Sequence, residues 1–277
     1  MTEINRSDTY AGPITELRAA SAADGGTALS TTAAFILLPD GINFLSIEGR
    51  NYSTAVVAKV AVNPYLIVFK TTDNLETITD YSKEAQDADT GTDVTLSSLD
   101  TAANGDYLYV GSHLPFRGVR VDVDSANSNA SVLTVNYWNG TSWTSISATD
   151  GSASGGATFA QDGNITWTVP TAWVKATLEE INSPSPSAWS PQIYRNDPFY
   201  WTRWQVSAAL DSSTTLNSMI AMNRSEVYAE LVSGKSFETA IHKGVKGIGC
   251  VEALTNAGTA NLIVNVGVRP PLVGIGL

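Results

Sequence analysis

The chain has 277 residues, a formal net charge of −11 and one cysteine, Cys250. These exclude an intrachain disulfide, a multi-cysteine zinc site and the basic footprint on which direct nucleic-acid binding depends. Its polarity comes from 30 Thr and 28 Ser more than from charge, a bias that suits strands and turns.

Residues 1–30 are polar, and Ser21-Ala22-Ala23-Asp24-Gly25-Gly26-Thr27 is too small-sided to anchor a core, so they read as a flexible arm. Phe35-Ile36-Leu37-Leu38 and Phe44-Leu45-Ser46-Ile47 follow as strands, and the intervening Pro39-Asp40-Gly41 predicts a hairpin between them. Ala55 to Val62 and Pro64 to Lys70 add further β runs, with Pro64 expected at a strand start or edge. Residues 71–106 then carry nine acidic residues against Lys83 alone. They read as a solvated loop or domain connection, a surface for a basic partner or for Ca²⁺ being the sharper alternative. Residues 31–100 thus form a smaller N-terminal β unit with an acidic connection.

From Tyr107 the alternation is strong. Tyr107-Leu108-Tyr109-Val110, Val119 to Val123, Val132 to Trp138, Ile165 to Val169, Tyr200 to Val206 and Leu262 to Val268 all read as strands. Asn139-Gly140 before Trp143 predicts a type I′ hairpin, which needs positive φ at both central residues. Thr171–Glu180 and Ser225–Val232 could each make about two helical turns. Asn182 to Pro191, with three prolines, reads as an extended loop. The fold expected is all-β: a β-sandwich over residues 101–277, jelly-roll or Ig-like, preceded by the smaller β unit and the arm.

Chemistry is sparse. His113 lies in a Gly-Ser-His-Leu-Pro loop, His242 stands beside Lys243, and Cys250 sits in an apolar stretch. None belongs to a catalytic signature, and an inert buried thiol is expected at Cys250. Asp122 to Asn129 resembles the start of a Ca²⁺ loop, but Ala126, Asn127 and Leu133 occupy places where an EF-hand needs an oxygen ligand, Gly and Glu. It reads instead as a hairpin turn. No cofactor, metal or enzymatic activity is expected. No run reaches the ~18 apolar residues of a membrane span, and Met1 to Ala23 lacks the apolar centre of a signal peptide, so a soluble chain made in a cytoplasm and free of membrane is expected. All seven Trp fall between Trp138 and Trp204. Trp138, Trp143, Trp189 and Trp201 are the candidates for a partner or host-glycan contact, since aromatic rings on a sandwich offer flat apolar faces, although most such rings fill cores.

Gly105-Asp106-Tyr107-Leu108-Tyr109-Val110-Gly111, Phe116-Arg117-Gly118-Val119, Leu133 to Trp143, Asp150-Gly151, Phe159, Asp162 to Pro170 and Tyr200 to Trp204 occur in that order. Together they resemble a β-sandwich module of structural proteins of tailed bacteriophages, over roughly residues 105–210. The resemblance implies a non-enzymatic virion protein, with a head decoration or cement protein preferred and a tail, neck or baseplate component as the alternative. From another class, a glycan-binding adhesin is the runner-up. By the same analogy residues 1–100 dock on the major capsid protein or another virion protein, the sandwich projects, and the chain works as a homo-oligomer, a trimer suiting threefold positions.

Overall fold

A computed structural model describes residues 15–17, 26–53, 56–87, 89–97, 99–181, 196–223 and 228–268. In chain order the strands begin with β1 (Thr15–Leu17), β2 (Thr27–Leu29), β3 (Ala34–Leu37), β4 (Phe44–Arg50), β5 (Ala58–Pro64), β6 (Ile67–Thr71) and β7 (Thr79–Asp80). They continue with β8 (Val94–Thr95), β9 (Tyr107–Ser112), β10 (Gly118–Ser125), β11 (Leu133–Trp138), β12 (Trp143–Ser145), β13 (Thr149–Asp150) and β14 (Gly163–Thr166). After β15 (Lys175–Ala176) and the one-turn helix α1 (Leu178–Ile181) come β16 (Phe199–Val206), β17 (Thr215–Ala221), β18 (Ala229–Leu231), β19 (Ser236–Ala240), β20 (Ile248–Thr255) and β21 (Ala260–Gly267). The all-β expectation holds.

The chain divides into two compact units, Met1–Val62 with Val227–Leu277, and Asn63–Glu226. In the first, a sheet ordered β1-β21-β4-β19, with β2 also on β21, and a sheet ordered β18-β5-β20-β3 supply opposite sides of one core. Leu45, Ile47, Leu262 and Val264 come from one sheet, and Val60, Val251 and Ala253 from the other. In the second, a seven-stranded sheet, β12-β11-β16-β9-β6-β7 with β15 beside β16, shares a core with β13-β14-β10-β17-β8. Val68, Leu108, Val110, Val135 and Trp204 meet Val119, Val121, Ile165, Leu216 and Met219 there. Each unit is therefore a sandwich whose inward residues come from two sheets.

This division departs from the expected one. Residues 34–62 belong to the same sandwich as β20 and β21, and residues 67–100 belong to the second, where β6 pairs with β9 from Ile67↔Gly111 to Thr71↔Tyr107. The expected arm also contributes strands, since β1 and β2 pair with β21; residues 1–14 and 18–25 lie outside the described residues.

The acidic run is not a linker. Leu75, Ala85, Val94, Leu96 and Leu99 within it are buried, and the buried Gln86 amide donates to the Met219 carbonyl while its oxygen accepts from the Leu66 amide. The carboxylates shape their own turns instead. Asp73 accepts from the Thr77 amide at 2.8 Å, Asp80 from the Ser82 amide at 2.8 Å and Asp89 from the Gly91 amide at 2.9 Å, the local bonding that makes Asp a turn former.

Two expected hairpins are crossovers between sheets. β3 pairs with β20 while β4 pairs with β21 and β19, so Pro39-Asp40-Gly41 carries the chain from one sheet to the other. The segment after β10 does the same, because β10 pairs with β14 and β17 and β11 with β12 and β16. Asn127 organises that crossover. It is 2% exposed, its oxygen accepts from the Asn129 and Asp211 amides, and its NH₂ faces the Asn129 carbonyl, the Ser131 hydroxyl and the Thr158 carbonyl.

The β11–β12 hairpin forms as expected, with Trp138 opposite Trp143, but not on a type I′ turn. Gly140 has φ +100° whereas Asn139 does not share the left-handed region. Instead the Asn139 oxygen accepts from the Thr141 and Ser142 amides, bracing a four-residue loop. Pro64 is the last residue of β5, an inner strand between β18 and β20, and does not open a strand or lie on an edge as expected. Of the first expected helix only α1 forms, opened by a reciprocal cap in which the Thr177 amide donates to Glu180 and the Glu180 amide to Thr177 Oγ1. In the second, residues 229–231 are the strand β18 and residues 224–227 lie outside the described residues.

Candidate functional site

The groups weighed for catalysis are scattered. His113 sits half-buried between β9 and β10, where burial and then the nearby Lys175 hold its pKa below the ordinary value. His242 is exposed, and Cys250 is buried on β20 in the other sandwich. Among the described residues no group of three or more His, Cys, Asp or Glu is placed to hold a metal ion. No helix among them is long and apolar enough to cross a membrane.

The candidate contact tryptophans separate into three cases. Trp201 is 0% exposed, so it cannot touch a partner or a glycan and that assignment is corrected. Its ring lies 5.8 Å from Phe69 and 5.7 Å from Phe199, and its indole N–H donates to the Ala176 carbonyl at 2.8 Å. Gly111 faces it across the ladder, and a Cβ there would sit 2.5 Å from the ring. The sheet is buried on both faces here, since every residue of β6 and β9 is buried. Trp189 lies outside the described residues.

Trp138 and Trp143 remain partly exposed and adjoin each other. Their rings meet edge to face at 5.4 Å, Trp143 meets Tyr109 at 5.6 Å, and Tyr109 meets Tyr107 at 5.9 Å. Into this row β16 brings Arg203, opposite Tyr109 on one neighbour strand and Asn136 on the other. Its guanidinium stands 4.4 Å from the Tyr107 ring centre and 4.9 Å from that of Trp143, a cation–π arrangement that holds a long side chain flat against the sheet. Burial pushes the Tyr109 hydroxyl well above its ordinary pKa, with Arg203 pulling the other way. The tyrosines are largely covered, whereas Arg203, Trp138 and Trp143 stay half-exposed.

The result is a Trp–Trp–Arg surface on the outer side of the seven-stranded sheet, in which the rings pack edge to face and the guanidinium lies against Trp143 and Tyr107. Trp, Tyr and Arg are the residues that dominate binding energy at protein interfaces. Arg203, Tyr107 and Tyr109 were not among the residues singled out from sequence. Alternation alone puts Arg203 and Trp204 on opposite faces, but no sequence rule pairs β16 with β9 and β11. Comparison of the chain with protein-family models, with curated proteins and with solved structures returned no match.

Proposed function

We propose that the protein is a non-enzymatic virion structural protein, a head decoration or cement subunit that acts by adding interfaces to a capsid. The observation that carries the proposal is the packed, partly exposed Trp138–Trp143–Arg203 surface, which has the composition of an interface hot spot. The resemblance of residues 105–210 to the tailed-phage sandwich module supports the same reading. Two sandwiches in an acidic chain also suit a subunit that binds through shaped surfaces. Its partner in this proposal is the major capsid protein or another virion protein, with further copies of itself, and its place is the virion after synthesis in the host cytoplasm.

The alternatives are a tail, neck or baseplate structural component and, favoured by the partly exposed Trp pair, a glycan-binding adhesin. Immunogold electron microscopy on purified particles, with antibody raised to residues 105–210, separates them. Label spread evenly over heads is the expected result. Label confined to tails or their tips transfers the proposal to the tail, neck or baseplate component and reopens the glycan question, and particles without label overturn the virion assignment.

A further inference from the structure

The described tryptophans divide by what their indole N–H groups do. Trp167 donates to the Phe116 carbonyl at 3.0 Å, Trp173 to the Trp201 carbonyl at 3.0 Å, Trp201 to the Ala176 carbonyl at 2.8 Å and Trp204 to Thr202 Oγ1 at 2.8 Å. All four side chains are buried, and a buried indole N–H needs an acceptor. Trp138 and Trp143 differ. Both are partly exposed, neither indole N–H has an acceptor among the described residues, and neither nitrogen is buried. The β11–β12 hairpin therefore presents two indole donors to water, on rings 5.4 Å apart.

Arg203 adds a cation to them. In a chain with 27 acidic residues it forms no ion pair among the described residues. Its guanidinium lies against the Tyr107 and Trp143 rings, 4.4 and 4.9 Å from their centres, with the Tyr109 hydroxyl as its polar neighbour. Its Nε is buried without an acceptor, so the Nη end, at the tip of a partly exposed side chain, is the part of the fork that solvent reaches.

Guanidinium and indole are donors with no acceptor of their own. An occupant that satisfies all three side chains has to bring acceptor oxygens, and an ionised carboxylate accepts only and also neutralises Arg203. A sugar hydroxyl donates as well as accepts and leaves the charge uncompensated, so the surface favours a carboxylate over a neutral glycan. The Trp rings beside the cation offer apolar area to whatever flanks that carboxylate. Small ligands are taken by concave sites that bury most of their surface, whereas this site lies on the face of a sheet and suits an exposed segment of a protein.

We propose that the Trp138–Trp143–Arg203 surface docks an acidic segment of the partner protein, with a Glu or Asp carboxylate on the Arg203 fork, oxygens of the segment accepting from the two indole N–H groups, and a neighbouring apolar side chain on the Trp rings. The proposal deepens the reading of this surface as a protein interface and rests on it. At −11 the chain as a whole repels acidic partners at long range, so this contact selects its segment by fit around one cation.

The test is proton–nitrogen correlation NMR of the full chain labelled at tryptophan, titrated into the millimolar range with acetyl-Leu-Glu-Leu-amide, with acetyl-Leu-Gln-Leu-amide and methyl glucoside as parallel arms. The Glu peptide should move the Trp138 and Trp143 indole signals, identified with Trp138→Phe and Trp143→Phe, and leave those of Trp167, Trp173, Trp201 and Trp204 in place. The Gln peptide should bind about tenfold more weakly. Arg203→Lys keeps the charge but loses the planar fork and should weaken the Glu peptide about tenfold. Arg203→Gln should abolish the preference for Glu over Gln, the four buried indole signals reporting in both variants that the fold is intact. The proposal is overturned if the Glu peptide leaves both exposed signals in place, if the Gln peptide binds equally well, or if methyl glucoside moves those signals at lower concentration than the Glu peptide, which would give the surface to a glycan. The virion assignment fails separately: particles without immunogold label, beside a bound Glu peptide, remove that assignment and keep this contact, whereas labelled heads with no response to the Glu peptide remove the contact alone.

Discussion

Replacing Trp201 with alanine tests whether the outer side of the seven-stranded sheet is core or surface. The side chain is 0% exposed, packs on Phe69 and Phe199, and satisfies the Ala176 carbonyl. Truncating a buried Trp costs ~3–5 kcal/mol, and the carbonyl left without its donor adds about 1 kcal/mol or more. At 2–4 °C per kcal/mol for a domain of this size, the midpoint should fall by roughly 8–24 °C. The assay is thermal or urea unfolding followed by tryptophan fluorescence. All seven Trp lie between Trp138 and Trp204, within Asn63–Glu226, so the signal reports on the second sandwich without interference from the first. Trp138→Ala and Trp143→Ala, at half-exposed positions, provide the comparison and should cost about 1 kcal/mol each. If Trp201→Ala shifts the midpoint no more than Trp138→Ala does, the burial of that face is refuted.

Gly111→Ala should destabilise the same unit by ~1–3 kcal/mol, because its Cβ would stand 2.5 Å from the Trp201 ring, and the penalty should shrink in a Trp201→Leu background, read as a double-mutant cycle. Asn127→Ala strips the amide from the Asn129 and Asp211 N–H groups and from the Thr158 carbonyl. It should cost ~2–4 kcal/mol in urea unfolding, from two or more polar groups left unpaired, and a loss below about 0.5 kcal/mol would contradict its organising role. Burial raises the Asp106 carboxyl above its ordinary 3.8, with the Asp100 amide and Lys70 opposing. The folded state therefore holds this proton more tightly than the unfolded chain, and stability contributed by the protonated group is lost as pH rises from below 3.8 through the raised folded pKa. Asp106→Asn should flatten that part of the stability–pH profile, and an unchanged slope would rule the group out as its source.

Strands were legible wherever a run was long and β-rich. β9, β11, β16 and β21 fall within a residue or two of their expected places, because period-two alternation and β-branched or aromatic side chains report the same geometry. What those runs do not carry is partner choice. Pro39-Asp40-Gly41 and the Asn/Ser-rich segment after Asp124 reverse the chain equally well within a sheet or between two sheets, so their sequences do not separate a hairpin from a crossover. The acidic segment misled for a related reason. Its core residues are short runs such as Val94, Leu96 and Leu99 between turn-forming carboxylates, and burial that alternates with Asp does not register as hydrophobic. Trp201 shows the opposite error. Ile67-Val68-Phe69 and Tyr107-Leu108-Tyr109-Val110 are continuous apolar runs, the mark of strands covered on both faces, and taking that mark seriously would have placed the ring on β16 inside. The Trp–Trp–Arg surface was half legible: the hairpin that joins Trp138 to Trp143 follows from Asn139-Gly140, whereas the arrival of Arg203 depends on a long-range ladder.

The topology also bears on how the chain assembles. β5 pairs with β18, Val60 opposite Ala229, so this ladder of the first sandwich joins residues about 170 apart, a costly closure in an open chain. The second sandwich is a contiguous segment between those strands, and it ties its own ends together. The Asn63 side chain is fully buried and donates to the Ala221 carbonyl at 2.7 Å. Once that unit is folded, the loop between Val60 and Ala229 is reduced in effect to about a dozen residues. At (3/2)RT ln n the difference between the open and the shortened loop is about 2 kcal/mol, gained by the first sandwich only after the second has formed. The pairings of β1, β2 and β4 with β21, and of β3 with β20, span nearly the whole chain and share this benefit. The contiguous sandwich, which holds the described tryptophans and the Trp–Trp–Arg surface, is thus the part able to fold on local information. The split sandwich closes behind it.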